Sequence, residues 1–330
     1  MLIVGIVNAV RSSEDDKVQK LEGYPDWTDK FEMYSGYLPI NDTSKILHYM
    51  FVTSQNDKAT DPLLIWFNGG PGCSSMLGFM QEHGPYVMEN NSTVFVENEY
   101  SWNTNASVLY IEQPAGVGFS YCDPTIPEDC TFDDMSASND TIIALVEWFN
   151  LFPEYKKNNL SISGESYGGI YVPYLTLQVD EYNKNNVTNE DDKINLKTMI
   201  VGNGVTNWTY DTTPATVTEL YWRSLISQQL HDNITAAKCD YSMIEFENDI
   251  SAECMEYMTK FNSLIDKVNI YNIYGTCWNA NITPSVHDHH NVLSAYNSDS
   301  NMAIKMIDGQ LRTHKRFSSS REYTPWTYSK

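Results

Sequence analysis

The chain has 330 residues, of which 42% are hydrophobic and 13% aromatic, so it can bury a large core as one domain with an insertion or as two domains. Its formal net charge of -22 would repel a phosphate backbone, which excludes nucleic acid and anionic membrane surfaces as partners. No apolar run approaches the roughly 18 residues that a membrane-spanning helix needs.

The N-terminus predicts export. An apolar segment, residues 2–7, precedes Asn8 and Ala9 and resembles the end of a secretory signal peptide cleaved after Ala9, although a basic segment before it is missing. The alternative for residues 1–9 is a first strand. Ten Asn-x-Ser/Thr sites also fit a secreted glycoprotein, although some arise by chance in an Asn-rich chain. These sites are Asn41, Asn90, Asn91, Asn105, Asn139, Asn159, Asn186, Asn207, Asn233 and Asn281.

Short apolar runs predict the strands of a sheet. Residues 31–53 alternate between apolar and polar types on either side of Asn41 and Asp42, which predicts two paired strands joined by a turn. Continuous apolar runs instead predict strands that are covered on both faces. Such runs occupy residues 62–67, 107–111, 160–163 and 196–201.

Helical patterns lie between these strands. The clearest spans residues 135–151, where a broad apolar stripe follows an acidic first turn at Asp133 and Asp134. Strands that alternate with helices indicate an α/β fold with a mostly parallel sheet.

The composition of the chain changes after Asn207. Residues 210–269 contain helical patterns with polar faces and no strand-like run. We therefore expect an α/β core over residues 24–209 and an inserted helical cap over 210–282. Residues 283–330 are polar and are expected to be exposed or disordered.

A serine lies between glycines at the end of one predicted strand. Residues 164–168 read Gly-Glu-Ser-Tyr-Gly and fit G-x-S-x-G, the nucleophile elbow, in which a sharp strand-to-helix turn presents the serine. The run at 160–163 supplies the strand, and residues 168–177 are compatible with a helix. The alternative is a glycine-rich turn with a solvated serine.

Two further glycine-rich loops follow predicted strands. They read WFNGGPGCSS at residues 66–75 and IEQPAGVGFSY at 111–121. An acyl-transfer site needs two backbone N–H donors for an oxyanion, and Gly69 and Gly70 allow bare backbone to approach closely. The alternative for the first loop is a tight turn without a chemical role. All three segments lie at the carboxyl ends of strands, where α/β sheets bind ligands.

These three segments, with YSGYL at 34–38 and Glu-His-Gly-Pro at 82–85, closely resemble the serine carboxypeptidases of the α/β-hydrolase superfamily. Their order and spacing are similar from about Tyr24 to Cys277. The resemblance implies an α/β-hydrolase fold, in which helices flank a mostly parallel central sheet and a helical cap is inserted. It implies no metal and no cofactor.

The resemblance also assigns the nucleophile and its surroundings. Ser166 is similar to the family's nucleophile, and the N–H groups of Gly70 and Tyr167 to its oxyanion hole. The loop geometry required for acyl transfer agrees with this assignment.

Asn68 and Glu165 are similar to the residues that hydrogen-bond the substrate's C-terminal carboxylate, and the resemblance assigns Gly69 and Glu82 to substrate binding as well. A negatively charged Glu165 would repel that carboxylate, so it must be protonated and donate a hydrogen bond. Glu82 resembles a second acid that lies against the first. Because two close carboxyl groups cannot both ionise cheaply, one pKa rises, and we expect the protein to work at acidic pH.

The base and the orienting acid of a triad are not found. In the family they follow the cap on loops after further core strands, whereas here no strand-like run follows Val201. His287, Asp288, His289 and His290 lie close together in a polar segment, and we assign them no catalytic or metal-binding role. We therefore expect the C-terminal strands to be missing, as in a fragment, an incomplete gene model or a degenerate copy.

The six cysteines favour disulfides over a metal site if the chain is exported, because no Cys-x-x-Cys spacing occurs. Cys122 and Cys130 could close a short loop, and Cys239 and Cys254 resemble a family pair in the cap. The remaining two cysteines each resemble one whose partner lies further downstream in the family, and their pairing stays open. They are Cys73 and Cys277.

Three functions are compatible with these patterns. The first is a serine carboxypeptidase that releases C-terminal amino acids through an acyl-enzyme at Ser166. The second is a catalytically dead module that only binds peptides, and the third is an acyltransferase on the same scaffold. The expected partner is a peptide or protein with a free C-terminus, and the expected location is secreted or the lysosomal or vacuolar lumen.

Overall fold

The computed structural model describes residues 11–88, 94–207, 210–211, 213–239 and 251–275. The predicted signal peptide, Cys277, the histidine-rich segment at 287–290 and the polar segment at 283–330 lie outside the described residues. The chain divides between Gly204 and Val205 into two compact units. Each unit is described by itself below.

The first unit is built on a six-stranded sheet. Its strand order is β1, β2, β6, β3, β7, β8. The last four of these strands pair in parallel, whereas β1 and β2 form an antiparallel edge. The six strands are β1 (Met33–Pro39), β2 (Ile46–Val52), β3 (Leu63–Phe67), β6 (Ser107–Glu112), β7 (Leu160–Glu165) and β8 (Leu196–Gly202). A separate antiparallel pair consists of β4 (Tyr86–Met88) and β5 (Phe95–Glu97).

The sequence patterns located the strands of the large sheet. The predicted hairpin is confirmed, with Leu38 opposite Leu47 across β1 and β2. The continuous apolar runs at 62–67 and 107–111 correspond to β3 and β6, and every residue of β6 is buried. These strands lie inside the sheet and are covered on both faces, as their composition predicts.

The prediction for residues 196–201 is wrong in one respect. The run forms β8, but it is exposed rather than covered on both faces, with Met199 54%, Ile200 42% and Val201 37% exposed. The physical reason is its place in the sheet: β8 is an edge strand that pairs only with β7 within the described residues. Apolar composition marks a strand but does not specify its neighbours.

Two long helices flank the sheet, α1 (Asp134–Leu151) and α2 (Gly168–Asn185). The start of α1 is fixed by Asp133, whose carboxylate accepts a hydrogen bond from the Ser136 N–H at 2.7 Å. The predicted helix at 168–177 is confirmed but continues to residue 185. Trp148 of α1 is fully buried and packs edge to face on Phe51 of β2, with 4.9 Å between ring centroids.

Another part of the first unit contains a cluster of buried apolar residues. They come from the N-terminal segment, the π-helical turn at Gly78–Glu82, the β4–β5 pair and the neighbouring strands. Tyr24 is partly buried and packs against this cluster, with ring centroids 4.2 Å from Phe95 and 5.3 Å from Tyr86. The sequence analysis missed both β4 and β5, because three-residue strands are too short to show a period of two. This cluster supports the turn that carries Glu82.

The described residues of the second unit form helices. This unit contains α3 (Thr213–Trp222), α4 (Gln228–Ala236) and α5 (Ala252–Ile265). Its apolar residues include Leu230, Met258 and Phe261 in a core of its own. Across the described parts of the chain, the helices are too short or too polar to span a membrane.

Two disulfides are present. Cys122 is bonded to Cys130 in the first unit, and Cys239 is bonded to Cys254 in the second, both as expected from the sequence. Cys73 has no disulfide partner within the described residues.

Candidate active site

Ser166 lies at the bend between β7 and α2. Its φ angle of 57° is in the left-handed region, which residues other than glycine rarely adopt. Gly164 gives the bend its room, because a Cβ atom there would lie 2.8 Å from the Phe67 carbonyl oxygen. The sharp strand-to-helix turn predicted from G-x-S-x-G is therefore present, and Ser166 is half-buried within it.

The diglycine loop, residues 68–75, follows β3 and packs on this bend. Since β3 and β7 are parallel neighbours, with Phe67 opposite Gly164, their carboxyl ends meet at one edge of the sheet. A Cβ atom on Gly69 would overlap the backbone nitrogen of Tyr167 and would lie 2.8 Å from the Ser166 Cβ. Only glycine allows this approach.

The two predicted oxyanion donors lie in these two segments. Gly70 has a φ of 109°, and its N–H makes no hydrogen bond within the described part of the chain. Tyr167 follows the serine, and its side chain is 1% exposed. The Tyr167 hydroxyl donates to the Asp134 carboxylate at 2.8 Å, which ties the bend to the start of α1.

Tyr171 holds the diglycine loop from the other side and was missed by the sequence analysis. Its hydroxyl oxygen accepts a hydrogen bond from the Gly72 N–H at 3.0 Å. Tyr171 lies four residues after Tyr167, and the two rings have centroids 5.1 Å apart. This i, i+4 spacing is the sequence signal that could have identified Tyr171, because it places both side chains on one face of the α2 N-terminus.

Asn68 lies between the two predicted acids. Its Nδ2 donates to Glu82 Oε1 at 2.8 Å and to Glu165 Oε1 at 2.9 Å. Its Oδ1 accepts from Trp66 Nε1 at 3.0 Å and from the Gly78 N–H at 2.9 Å. Since an amide nitrogen has two N–H groups and the oxygen only accepts, these four bonds fix the orientation of the amide. The structure thus brings Asn68, Glu82 and Glu165 together.

The pKa of the Glu82 carboxyl group is raised above its ordinary value. The residue is exposed to solvent, yet protein lies close enough around its carboxyl group to desolvate it in part. Partial desolvation raises the pKa of Glu82 to about 7, and the nearby Glu165 carboxylate adds to the rise, whereas the hydrogen bond from Asn68 opposes it. A proton on the Glu82 carboxyl group is therefore favoured at acidic pH.

Cys73 lies in the diglycine loop. Burial raises the pKa of the Cys73 thiol to about 11, and the charges of Glu165 and Glu82 contribute to the rise. The thiol therefore stays protonated at neutral and acidic pH and is a poor nucleophile. Ser166 is the better candidate in this loop region.

The described part of the first unit contains no base for Ser166. Its two histidines, His48 and His83, are buried in hydrogen-bond networks of their own, and neither hydrogen-bonds Ser166. The later histidines of the predicted polar segment lie outside the described residues. The base and its orienting acid remain unassigned.

His83, next to Glu82, is 6% exposed and stacks on Trp102 with ring centroids 4.0 Å apart. Burial lowers the pKa of His83 to about 4. Between pH 6.5 and 4 the unfolded state therefore binds more protons than the folded state, and stability falls as the pH falls. This residue alone accounts for a loss of up to about 3 kcal/mol.

We expect His83→Gln to remove the contribution of His83 to the pH dependence of the unfolding free energy. Urea unfolding at several pH values between 4 and 7 measures it, and His231→Gln, at a histidine that stacks on Tyr221 in the second unit, serves as the control. Equal slopes of unfolding free energy against pH in wild type and His83→Gln would contradict the assignment.

The fold and the site together define the class of protein. A mostly parallel sheet that presents a serine on a strained strand-to-helix bend, beside a glycine loop from the neighbouring strand, is the α/β-hydrolase arrangement. The sequence model of the family described as serine carboxypeptidase matches residues 25–329. The chain belongs to the serine carboxypeptidase family. This match extends beyond Cys277, where the motif resemblance ends.

Individual relatives agree with the family. The chain is 39% identical to the lysosomal protective protein of Mus musculus, over 75% of this chain and 50% of the relative. It is 40% identical to serine carboxypeptidase-like 20 of Arabidopsis thaliana, over 80% of this chain and 52% of the relative. The chain thus spans about half the length of these curated relatives.

A solved structure supports the same fold. A prohormone-processing carboxypeptidase from Saccharomyces cerevisiae superposes with a TM-score of 0.65 at 26% identity. The superposition covers 77% of this chain and 58% of the yeast chain.

Proposed function

We propose that the protein is a serine carboxypeptidase that releases C-terminal amino acids from peptides through an acyl-enzyme at Ser166. One observation carries the proposal: the carboxyl-binding candidates are covalent neighbours of the reaction centre. Glu165 immediately precedes the nucleophile, and Asn68 is the first residue of the diglycine loop that packs on it. A site that binds a terminal carboxylate this close to the nucleophile selects the last peptide bond of a chain.

The reaction follows from this arrangement. The Ser166 hydroxyl attacks the last peptide carbonyl, and the oxyanion accepts hydrogen bonds from the N–H groups of Gly70 and Tyr167. The C–N bond breaks, the terminal amino acid leaves, and water then hydrolyses the ester on Ser166. A base outside the described residues must take the serine proton and deliver it to the leaving amine.

Recognition of the substrate requires a proton on the acid pair. Two ionised carboxylates would repel a third, whereas a protonated Glu82 or Glu165 donates a hydrogen bond to it. The two N–H groups of Asn68 donate to Glu82 and Glu165, so Asn68 aligns the two acids, and it donates to the substrate carboxylate by exchanging one of these bonds. We therefore expect binding to be strongest at acidic pH.

A second function, peptide binding without hydrolysis, is supported by one observation. Neither histidine described in the first unit hydrogen-bonds Ser166, so no activated serine is present in that part of the chain. The carboxyl-binding cluster does not depend on that base.

Two matched substrates distinguish these functions. A blocked dipeptide with a free C-terminus and its C-terminal amide are incubated with the full chain at pH 5, with Ser166→Ala as the control. The peptidase hydrolyses the free acid at least about 100-fold faster than the amide, and the variant binds it without hydrolysis. Binding of the free acid without hydrolysis by wild type supports the binding module, and the absence of binding contradicts both.

A luminal or extracellular location belongs to the same proposal. The two disulfides fit an oxidising compartment. Asn233 is half-buried, and the other described sequon asparagines are exposed, as glycan attachment requires. The exposed ones are Asn41, Asn105, Asn139, Asn159, Asn186 and Asn207.

A further inference from the structure

A buried carboxylate lies behind the candidate site. Glu112, the last residue of β6, is completely buried. Its Oε1 accepts a hydrogen bond from the Ser74 hydroxyl, and its Oε2 accepts one from the Phe119 N–H at 2.8 Å. The Nδ1 of His48 lies 2.9 Å from the same Oε2. One side chain therefore contacts the diglycine loop, the loop after β6, and β2.

The surroundings of Glu112 leave little freedom. His48 is 1% exposed, and its Nε2 lies 2.9 Å from the Ser35 hydroxyl. The His48 N–H donates to the Ser120 hydroxyl oxygen at 2.7 Å, and that hydroxyl in turn donates to the Glu112 carbonyl oxygen at 2.6 Å. A Cβ atom on Gly118 would overlap the Glu112 carboxylate. The loop after β6 is thus wrapped closely around the acid.

The diglycine loop is tied to β6 by two successive serines. The Ser74 hydroxyl donates to the Glu112 carboxylate, and the Ser75 hydroxyl donates to the Ile111 carbonyl oxygen at 2.7 Å. The loop begins at the end of β3, and the Gly72 N–H is bonded to Tyr171. The segment that contains Gly70 is therefore held between β3, α2 and β6.

We propose that Glu112 is a positioning residue that fixes the diglycine loop, and with it the Gly70 amide, against the nucleophile bend. It acts by its length and hydrogen bonds rather than by its charge. The role of Gly70 as an oxyanion donor rests on the proposed function. The fixation of the loop does not, so it can be tested separately.

Two substitutions of Glu112 separate length from charge. In Glu112→Gln the amide oxygen can accept from His48 and Phe119, and the amide nitrogen can donate to the Ser74 oxygen, so all three contacts persist without charge. Glu112→Asp keeps the charge but is shorter by about 1.5 Å and cannot reach all three partners.

A further pair of variants controls for folding. Ser74→Ala removes the link between Glu112 and the diglycine loop, and with it the hydrogen bond that the Ser74 hydroxyl accepts from the Met76 N–H at 3.1 Å. Ser54→Ala is its matched control, because Ser54 is also buried and also donates to a carboxylate, Asp61, at 2.6 Å. Ser54 lies at the opposite end of the sheet, before β3 begins.

The first readout is amide hydrogen exchange of peptides that cover residues 68–75, which leave out the Met76 amide whose acceptor Ser74→Ala removes, with urea unfolding as the measure of global stability. We expect Glu112→Asp and Ser74→Ala to accelerate exchange in this segment about tenfold, and Glu112→Gln and Ser54→Ala to leave it near wild type. Wild-type exchange in Ser74→Ala, or equal effects of Gln and Asp at position 112, would overturn the proposal.

The second readout is the rate at which a fluorophosphonate modifies Ser166. We expect Glu112→Asp and Ser74→Ala to slow this reaction about tenfold, because a loosely held diglycine loop positions the Gly70 amide poorly for a hydrogen bond to the oxyanion. If wild-type Ser166 does not react at all, the proposed function fails, and the exchange measurement still decides whether Glu112 positions the loop. Normal labelling rates with accelerated exchange would overturn the link between the loop and the reaction centre.

Discussion

Gly69→Ala is expected to lower kcat for a blocked dipeptide by about 100-fold to 1,000-fold, with little change in KM. A methyl group at this position overlaps the Tyr167 nitrogen and lies 2.8 Å from the Ser166 Cβ, so the diglycine loop must move away from the bend. That movement displaces one oxyanion donor from the other, and the loss of a single donor costs about this much. The loss is confined to the transition state, where the oxyanion forms.

Gly202→Ala is the matched control for this substitution. The Gly202 carbonyl accepts a hydrogen bond from the Ser166 N–H at 3.0 Å, so it also lies beside the nucleophile. A Cβ atom on Gly202 meets nothing within 4 Å in the described structure. Steady-state kinetics of both variants test the contact, and equal kcat values for Gly69→Ala and wild type would show that the loop does not serve the reaction.

Glu165→Gln is expected to keep activity further toward neutral pH than wild type. In the proposed mechanism the acid pair of the wild type holds a proton to bind the substrate carboxylate, and the pKa of Glu82 is raised to about 7. Binding is therefore present below this pKa and is lost as the pH rises through it, by about tenfold per pH unit. A glutamine carries N–H donors at every pH, so its kcat/KM at pH 8 should exceed the wild-type value once each is normalised to pH 5.

The pH profile of kcat/KM between pH 4 and 9 tests this role. Glu181→Gln, at an exposed position of α2, removes one negative charge without touching the pair and should follow the wild-type profile. Superimposable profiles for wild type and Glu165→Gln would remove Glu165 from carboxylate recognition.

The sheet and the elbow could be predicted because their signals are local. Apolar runs, the Asn41 turn and the glycines around Ser166 reflect backbone and burial demands within a few residues. The exposure of β8 could not be predicted in the same way. It depends on which strand lies beside it, and that information is not contained in residues 196–201.

The candidate site was only partly predictable for a related reason. Asn68 and Glu165 are 97 positions apart, and Asn68 and Glu82 are 14 apart, yet one amide bonds both carboxyl groups. Their pairing was expected from family resemblance, not from spacing. The contacts of Glu112 with Ser74 and His48 carried no local signal, because a strand-end acid before a glycine-rich loop is equally compatible with a solvated side chain.

The most direct test of the account is the site of covalent modification by a fluorophosphonate. The full chain is treated at pH 5 to 7, digested and mapped by mass spectrometry, with Ser166→Ala as the control. A serine on a strained bend beside the Gly70 and Tyr167 amides, with a base supplied by the rest of the protein, predicts modification at Ser166 alone and none in the variant. A folded wild-type protein that stays unmodified at Ser166, or that is modified equally in Ser166→Ala, would contradict the claim.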